Sequence, residues 1–373
     1  MQARSGWLCA PDSFKGTIGS IGAARCLAQG LHPLPARQLP MCDGGEGTGA
    51  ALKAALGGSW EEVPLRSSSS GRAPDRGRWL NLGAGCAVVE FAEAAPFEAA
   101  SPTSRPDPAL GSSFPVGELL CSALESGAHT LYIGLGGSST VDGGAGALQA
   151  LGGVFRTSSG VLSRPVRGSD LGSLAALDLT AVRQRFEGVT CVLGADVRNP
   201  LLGPHGAVHQ FGPQKGVRPD QLDAFEQGML HFSRLLGDSG DQFGDGAAGG
   251  AGFGFRIGLN GRLDQGARLF GGLLGLQKAC SAAEWVVTGE GRFDRQTPQG
   301  KVPWAVAECA KACGAKTALV AGSIAPDQLD RAKQVFDICL ELGSLEAGSG
   351  ATPLTPESAL EEAGARLRAL ASQ

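Results

Sequence analysis

The chain has 373 residues, 42% of them hydrophobic and 18% charged, with a net charge of −4. That balance excludes a disordered chain, and the interspersed acids and bases exclude a polybasic surface for nucleic acid or membrane. The length exceeds one usual domain, so two are expected. No apolar stretch is long enough to span a bilayer and no signal-like apolar region follows the N-terminus. A cytoplasmic protein acting on small molecules is the expectation; oligomeric state is not readable. Ten cysteines are scattered without a CxxC pair or Cys/His cluster and read as reduced thiols. Cys309 and Cys313 have metal-compatible helical spacing but no nearby partners. Glycine is the outlier: 59 residues, more than twice the average share, clustered at the ends of apolar runs.

In chain order, "WLCAPDSFKG" reads as a strand entering a loop, followed by the helical "IGAARCLAQGL" with Ala24, Leu27 and Leu31 on one face. "LPMCDGGEG" precedes the helical "TGAALKAALGG", with Thr48 as cap and Gly57 as stop. Residues 59–114, with "RSSSSGRAPDRGR" and "PFEAASPTSRPDPALGSS", break the rhythm. "TLYIGLGGSSTVDGG" then leads into the helical "AGALQALGG", and residues 156–280 are long and loop-rich. "CVLGADVRNP", "EWVVTGEG", "TALVAGS" and "DICLELG" are further strands, with "PWAVAECAKACG" a helix between two of them. Such alternation predicts an α/β fold with a mostly parallel sheet and helices on both faces. The two irregular stretches suggest a second α/β domain inserted into the first. The expected division is 1–58 with 115–155 and 281–373 as a Rossmann-like domain, and 59–114 with 156–280 as the insert. A cleft between them is expected. Loops at the strands' carboxyl ends should carry the ligand site.

Those loops are where acids and cations sit among glycines. "CDGGEGT" offers Asp43 and Glu46; "TGEGRFDRQTPQGKV" offers Glu290, Arg292, Asp294, Arg295 and Lys301; "DSFKG" offers Asp12, Ser13 and Lys15. "GLGGSSTVDGGAG" adds Gly136, Gly137, Ser138, Ser139 and Asp142, a run of exposed N–H groups suited to an anion nest. "GAAGGAGFG", with Gly249 and Gly250, is a second such run, and residues 194–216 add Asp196, Arg198, two histidines and Lys215. Neither GxxxxGK[ST] nor GxGxxG after a strand is present, so the P-loop and dinucleotide fingerprints fail.

Each loop alone has a plainer explanation: glycines permit tight turns, Asp43 or Asp142 caps a helix, and a lone lysine is a solvated charge. Turn geometry does not require an acid at several strand ends, whereas one shared polyanion–metal site does. Phosphoryl transfer needs this inventory, because carboxylates hold Mg²⁺ while N–H groups and lysines hold phosphate oxygens. On this reading Asp43, Glu46, Glu290 and Asp294 bind metal, and Gly136, Gly137, Ser138, Ser139, Gly249 and Gly250 bind nucleotide phosphate. Lys15 and Lys301 act on the transferring phosphate, while Ser13, Arg198 and Lys215 bind substrate. Asp196 is the chosen base, with a turn cap before "NP" as the standing alternative.

The motifs "APDSFKGT", "DGGEGT", "GLGGSSTVDGGAGALQALG", "QFGPQKG", "AAGGAG" and "VVTGEGRFDRQTPQGK" stand in an order that resembles bacterial glycerate kinases of the type lacking a P-loop. The resemblance runs from about residue 9 to residue 322. It implies D-glycerate as substrate, ATP with Mg²⁺ as donor, a two-domain α/β fold, and the 2-hydroxyl as acceptor. Phosphorylation of the 3-hydroxyl, of another small hydroxy acid, or a non-catalytic nucleotide or metabolite sensor are the alternatives. "GSSFPVGELL" departs from the family's usual "TTYGTGELI", which puts a phosphate contact from that loop in question.

Overall fold

A computed structural model describes residues 5–66, 74–97, 107–346 and 354–372. Residues 67–73 of the serine-rich run and 98–106 of the proline-rich run lie outside the described residues. The chain forms two compact units. The first comprises Met1–Asp43, Ala50–Leu56 and Gly266–Gln373; the second comprises Gly44–Gly49 and Gly57–Gln265.

The first unit is built on a five-stranded sheet, in the order Ile338–Glu341, Lys316–Ile324, Trp285–Phe293, Trp7–Cys9, Ala36–Gln38. Every neighbouring pair is parallel. Both faces are covered, which is why these strands read as continuous apolar runs without alternation. Ala318 and Val320 join a core with Leu27, Leu360 and Leu367. The intervening Leu319 and Ala321 point the other way, into a core with Ala307 and Phe336. Helix Ser20–Leu31 buries the predicted Ala24, Leu27 and Leu31. It packs on helix Pro356–Ala371. Gly30 sets the approach of these helices, since a Cβ there would lie 1.9 Å from the Glu361 carbonyl oxygen.

The second unit carries a six-stranded sheet, in the order Arg262–Gln265, Thr190–Ala195, Thr130–Gly134, Cys86–Glu90, Arg76–Gly83, Ser59–Pro64. Its first three pairings are parallel and its last two antiparallel. A small antiparallel sheet of Gly160–Val161, Val154–Thr157 and Leu174–Asp178 accompanies it. The apolar core here includes Trp79, Phe91, Phe155, Phe232, Phe253 and Phe255.

The α/β class, the mostly parallel sheets and the two-unit organisation match the expectation, but the division differs. Residues 115–155 belong to the second unit, because Thr130–Gly134 is hydrogen-bonded between Cys86–Glu90 and Thr190–Ala195. Residues 266–280 belong to the first. The stretch read as loop-rich contains the 15-residue helix Leu222–Leu236 and the segment Ala247–Gly258, helical but broken by left-handed backbone at Ala248, Gly249 and Gly250. Thr48 is the first residue of its helix, and its Oγ1 accepts from the Gly44 N–H at 3.0 Å.

Candidate active site

In the first unit, the carboxyl ends of strands Trp7–Cys9, Ala36–Gln38 and Trp285–Phe293 and the loops that follow them form a polar cavity of about 320 Å³. Asp12, Ser13, Lys15, Asp43, Glu290, Gly291, Arg292, Asp294 and Lys301 line it. Pairing with the neighbouring strand continues past Cys9: Ala10 donates to the Val287 carbonyl at 2.7 Å and Asp12 to that of Gly289 at 2.9 Å. Asp12 therefore enters the cavity from the carboxyl edge of the sheet, as expected of a parallel α/β fold. Its Oδ1 accepts from the Ser13 N–H at 2.7 Å.

The opposite wall is the "TGEGRFDRQTPQGKV" loop. Strand Trp285–Phe293 carries Glu290 to the cavity with its side chain only 6% exposed. Asp294 then turns the chain, its Oδ1 accepting from the Gln296 N–H at 2.8 Å. Gly300, at φ +114°, reverses the backbone into Lys301, which stands at the N-terminal boundary of helix Val302–Ala312. Lys301 Nζ lies 4.0 Å from Asp294 Oδ1.

Four carboxylates and three cationic side chains thus share one small cavity. Burial first, and then the Asp43 carboxylate, holds Asp12 well above the usual carboxylate range, against the pull of the Ser13 N–H and Lys15. Burial likewise pushes Glu290 up to about 7, with Asp294 adding to the rise while Thr297, Lys301 and Lys15 oppose it. Carboxylates destabilised by burial and by each other are relieved by a bound cation. Among the described residues no group of three or more His, Cys, Asp or Glu is placed to hold a metal ion alone. The donor set suits Mg²⁺ nonetheless, since Mg²⁺ commonly uses one or two carboxylates, waters and substrate phosphates.

Of the predicted residues, Ser13, Lys15, Asp43, Glu290, Asp294 and Lys301 meet in this cavity. Lys15 is exposed, Lys301 half-buried. Glu46 is exposed on the 44–49 segment, which belongs to the second unit. Arg295 is turned to the surface, paired with Asp327 at 2.6 Å, and does not line the cavity. Asp12 and Arg292 do line it and were absent from the predicted roles, although "DSFKG" at a strand end already signalled the first.

The second unit gathers another polar cluster. Lys215 is 7% exposed, and its Nζ donates to Ser138 Oγ and to the Thr140 carbonyl, both at 2.9 Å. Burial depresses its pKa to about 7, with attraction from Asp142 opposing the fall. Substrate binding was expected of Lys215; its contacts here hold the 138–140 loop, expected to bind nucleotide phosphate. Within the expected nest, the Gly136 N–H is taken by the Gly44 carbonyl, and Ser139 gives both its N–H and its hydroxyl to Ala95 O. Gly249 and Gly250 are buried; a Cβ on Gly249 would lie 2.0 Å from the Thr140 carbonyl oxygen. Close packing and left-handed backbone, at φ +64° and +89°, both require glycine at these two positions.

Asp142 is fully buried and accepts from Ser113 N–H and Oγ, each at 2.7 Å, and from Gly144 and Gly146 N–H, each at 3.2 Å. It joins the starts of helices Phe114–Glu125 and Ala145–Ala150, which is the capping role. The departure "GSSF" has the same explanation: Ser112 Oγ donates to the Val166 carbonyl at 2.5 Å and Ser113 Oγ to Asp142. Both hydroxyls are committed to the fold.

Asp196 and Arg198 follow strand Thr190–Ala195, Asp196 half-buried and Arg198 exposed with its guanidinium 5.9 Å from the Phe243 ring. Glu90, not singled out from the sequence, is 3% exposed and accepts from the Gly47 and Gly49 N–H groups at 2.9 and 2.6 Å. It anchors the 44–49 segment. All ten cysteines are free. No helix among the described residues is long and apolar enough to cross a membrane.

Comparison with known proteins agrees with these motifs. The family model described as "Glycerate kinase family" matches residues 7–373. A glycerate kinase from Bacillus subtilis (strain 168) is 37% identical over 330 residues, covering 86% of this chain and 85% of that one. A glycerate 2-kinase from Escherichia coli (strain K12) is 34% identical over 355 residues, covering 90% and 91%. A crystal structure from Salmonella typhimurium LT2, provisionally named glycerate kinase 2, superposes with a TM-score of 0.81 at 30% identity, covering 99% of both chains. With its motifs in order, its α/β architecture matched along the whole length and an acid-and-lysine cavity at a sheet edge, the chain belongs to the glycerate kinase family, whose members are phosphotransferases.

Proposed function

We propose that the protein phosphorylates D-glycerate with ATP and Mg²⁺, giving 2-phosphoglycerate. The observation that carries the reading is the cavity of Asp12, Asp43, Glu290, Asp294, Lys15 and Lys301 in a chain related to an enzyme named glycerate 2-kinase.

Phosphoryl transfer is limited by charge and positioning, so the protein's task is to neutralise oxygens and align a hydroxyl. One or two of Asp43, Glu290 and Asp294 would supply oxygen ligands to Mg²⁺, beside water and substrate phosphate, and the ion would supply charge neutralisation when bound with the nucleotide. Lys301 and Lys15 face the transferring phosphate. Gly137 and Ser138 are the remaining donors of the predicted phosphate nest. Arg198 holds the substrate carboxylate through its paired N–H groups. Asp196 takes the proton of the attacking hydroxyl. Asp142, with four hydrogen bonds already accepted, is set aside as an alternative base.

The test is ADP release from ATP and Mg²⁺ across a panel of small hydroxy acids, followed by the ³¹P spectrum of the product. Phosphate on C2 couples to a single proton and gives a doublet; phosphate on C3 couples to a pair and gives a triplet. A doublet supports the reading, and a triplet reassigns the acceptor hydroxyl. Absence of ADP release with every acid overturns the kinase reading in favour of a binding protein.

A further inference from the structure

The acidic loop of the cavity is organised by a residue that does not line it. Thr297 is fully buried, and its hydroxyl donates to Glu290 Oε1 at 2.6 Å. Thr297 Oγ1 in turn accepts from the Asp294 N–H at 3.2 Å. Thr297 N–H donates to the Asp294 carbonyl at 3.1 Å, and the Thr297 carbonyl accepts from Gly300 and Lys301 N–H, both at 3.2 Å. The side chain and the two backbone polar groups of one residue therefore tie together Glu290, Asp294 and Lys301, which are otherwise spread over a loop containing Gly291 and Gly300. A buried threonine in a short helical turn needs no carboxylate partner for stability. Directing its only proton at a buried acid, while holding the next acid's main chain, sets the spacing of both.

We propose that Thr297 is a positioning residue, its hydroxyl fixing Glu290 and Asp294 in the arrangement that receives a divalent cation. The proposal rests on the functional reading above. Groups that orient metal-binding carboxylates without touching the ion typically contribute ~10–100-fold in affinity or activity. Valine matches threonine in shape but leaves Glu290 without its donor, whereas serine keeps the hydroxyl.

The experiment measures binding of Mn²⁺ alone to the full chain, by the loss of the free-ion EPR signal, for wild type, Thr297→Val, Thr297→Ala and Thr297→Ser. Mg²⁺ activation curves and the KM for D-glycerate are measured in parallel. Removing the hydroxyl should weaken Mn²⁺ binding and raise the half-activating Mg²⁺ concentration by about 10–100-fold. The serine variant should stay within about threefold of wild type, and the glycerate KM should hold in all variants. Unchanged Mn²⁺ binding in the valine variant, or an equal loss in the serine variant, overturns the proposal. So does failure of both the valine and alanine variants to fold while serine folds, because the hydroxyl then serves the fold. If wild type binds Mn²⁺ but phosphorylates no hydroxy acid, the functional reading fails separately.

Discussion

Replacing Lys215 by methionine should change how stability depends on pH in a direction set by burial. In the folded chain the ammonium is enclosed and its pKa falls to about 7, from an ordinary 10.5. Unfolded, the side chain keeps its proton up to the ordinary value. Between those limits the unfolded state binds one more proton than the folded state, so the free energy of unfolding rises with pH. A single such group has a limiting slope of about 1.4 kcal/mol per pH unit. Between about pH 7.5 and 9.5 wild type should therefore gain roughly 2–3 kcal/mol relative to Lys215→Met, in which other titrating groups cancel by difference. The assay is urea unfolding of both proteins across that range. Parallel curves would show that Lys215 titrates as an exposed lysine, and the enclosed arrangement with Ser138 and Thr140 would then be wrong.

Asp196→Asn should lower kcat by ~10²–10⁴-fold with little change in the ATP KM, as loss of a base does, while Arg198→Ala should mainly raise the glycerate KM; steady-state kinetics with both substrates varied decide it, and an unchanged kcat in Asp196→Asn refutes the base assignment. Asp294→Asn should abolish turnover or raise the Mg²⁺ requirement without altering the far-UV spectrum, and full activity at low Mg²⁺ would remove it from the cation site. Gly30→Ala forces a methyl towards the Glu361 carbonyl, to 1.9 Å without adjustment, so helices Ser20–Leu31 and Pro356–Ala371 must separate. A loss of about 1–3 kcal/mol in denaturant unfolding with unchanged KM values is expected, and wild-type stability would contradict the close crossing.

Local pattern was enough for much of the first unit. Ala24, Leu27 and Leu31 repeat at helical spacing and are buried on one helix face. The apolar runs at 285–287 and 317–321 lie in strands of a parallel sheet covered on both faces, an environment that accepts continuous apolar runs. The loops that follow announced the cavity, since an acid beside glycines at a strand's carboxyl end is a local feature. What the tertiary structure alone decided is which distant groups meet. Buried strands of similar composition are interchangeable in sequence, so nothing near Thr130–Gly134 reveals that it pairs with Cys86–Glu90 and Thr190–Ala195. Glu90 reaches Gly49 across 41 positions, Ser113 reaches Asp142 across 29 and Lys215 reaches Ser138 across 77. Each of these polar groups is buried, and a buried polar group must find a partner wherever the packed chain brings one. That requirement made Asp142 a helix cap and Lys215 a brace for the 138–140 loop, because hydrogen bonding is satisfied in three dimensions and leaves no periodic trace along the chain.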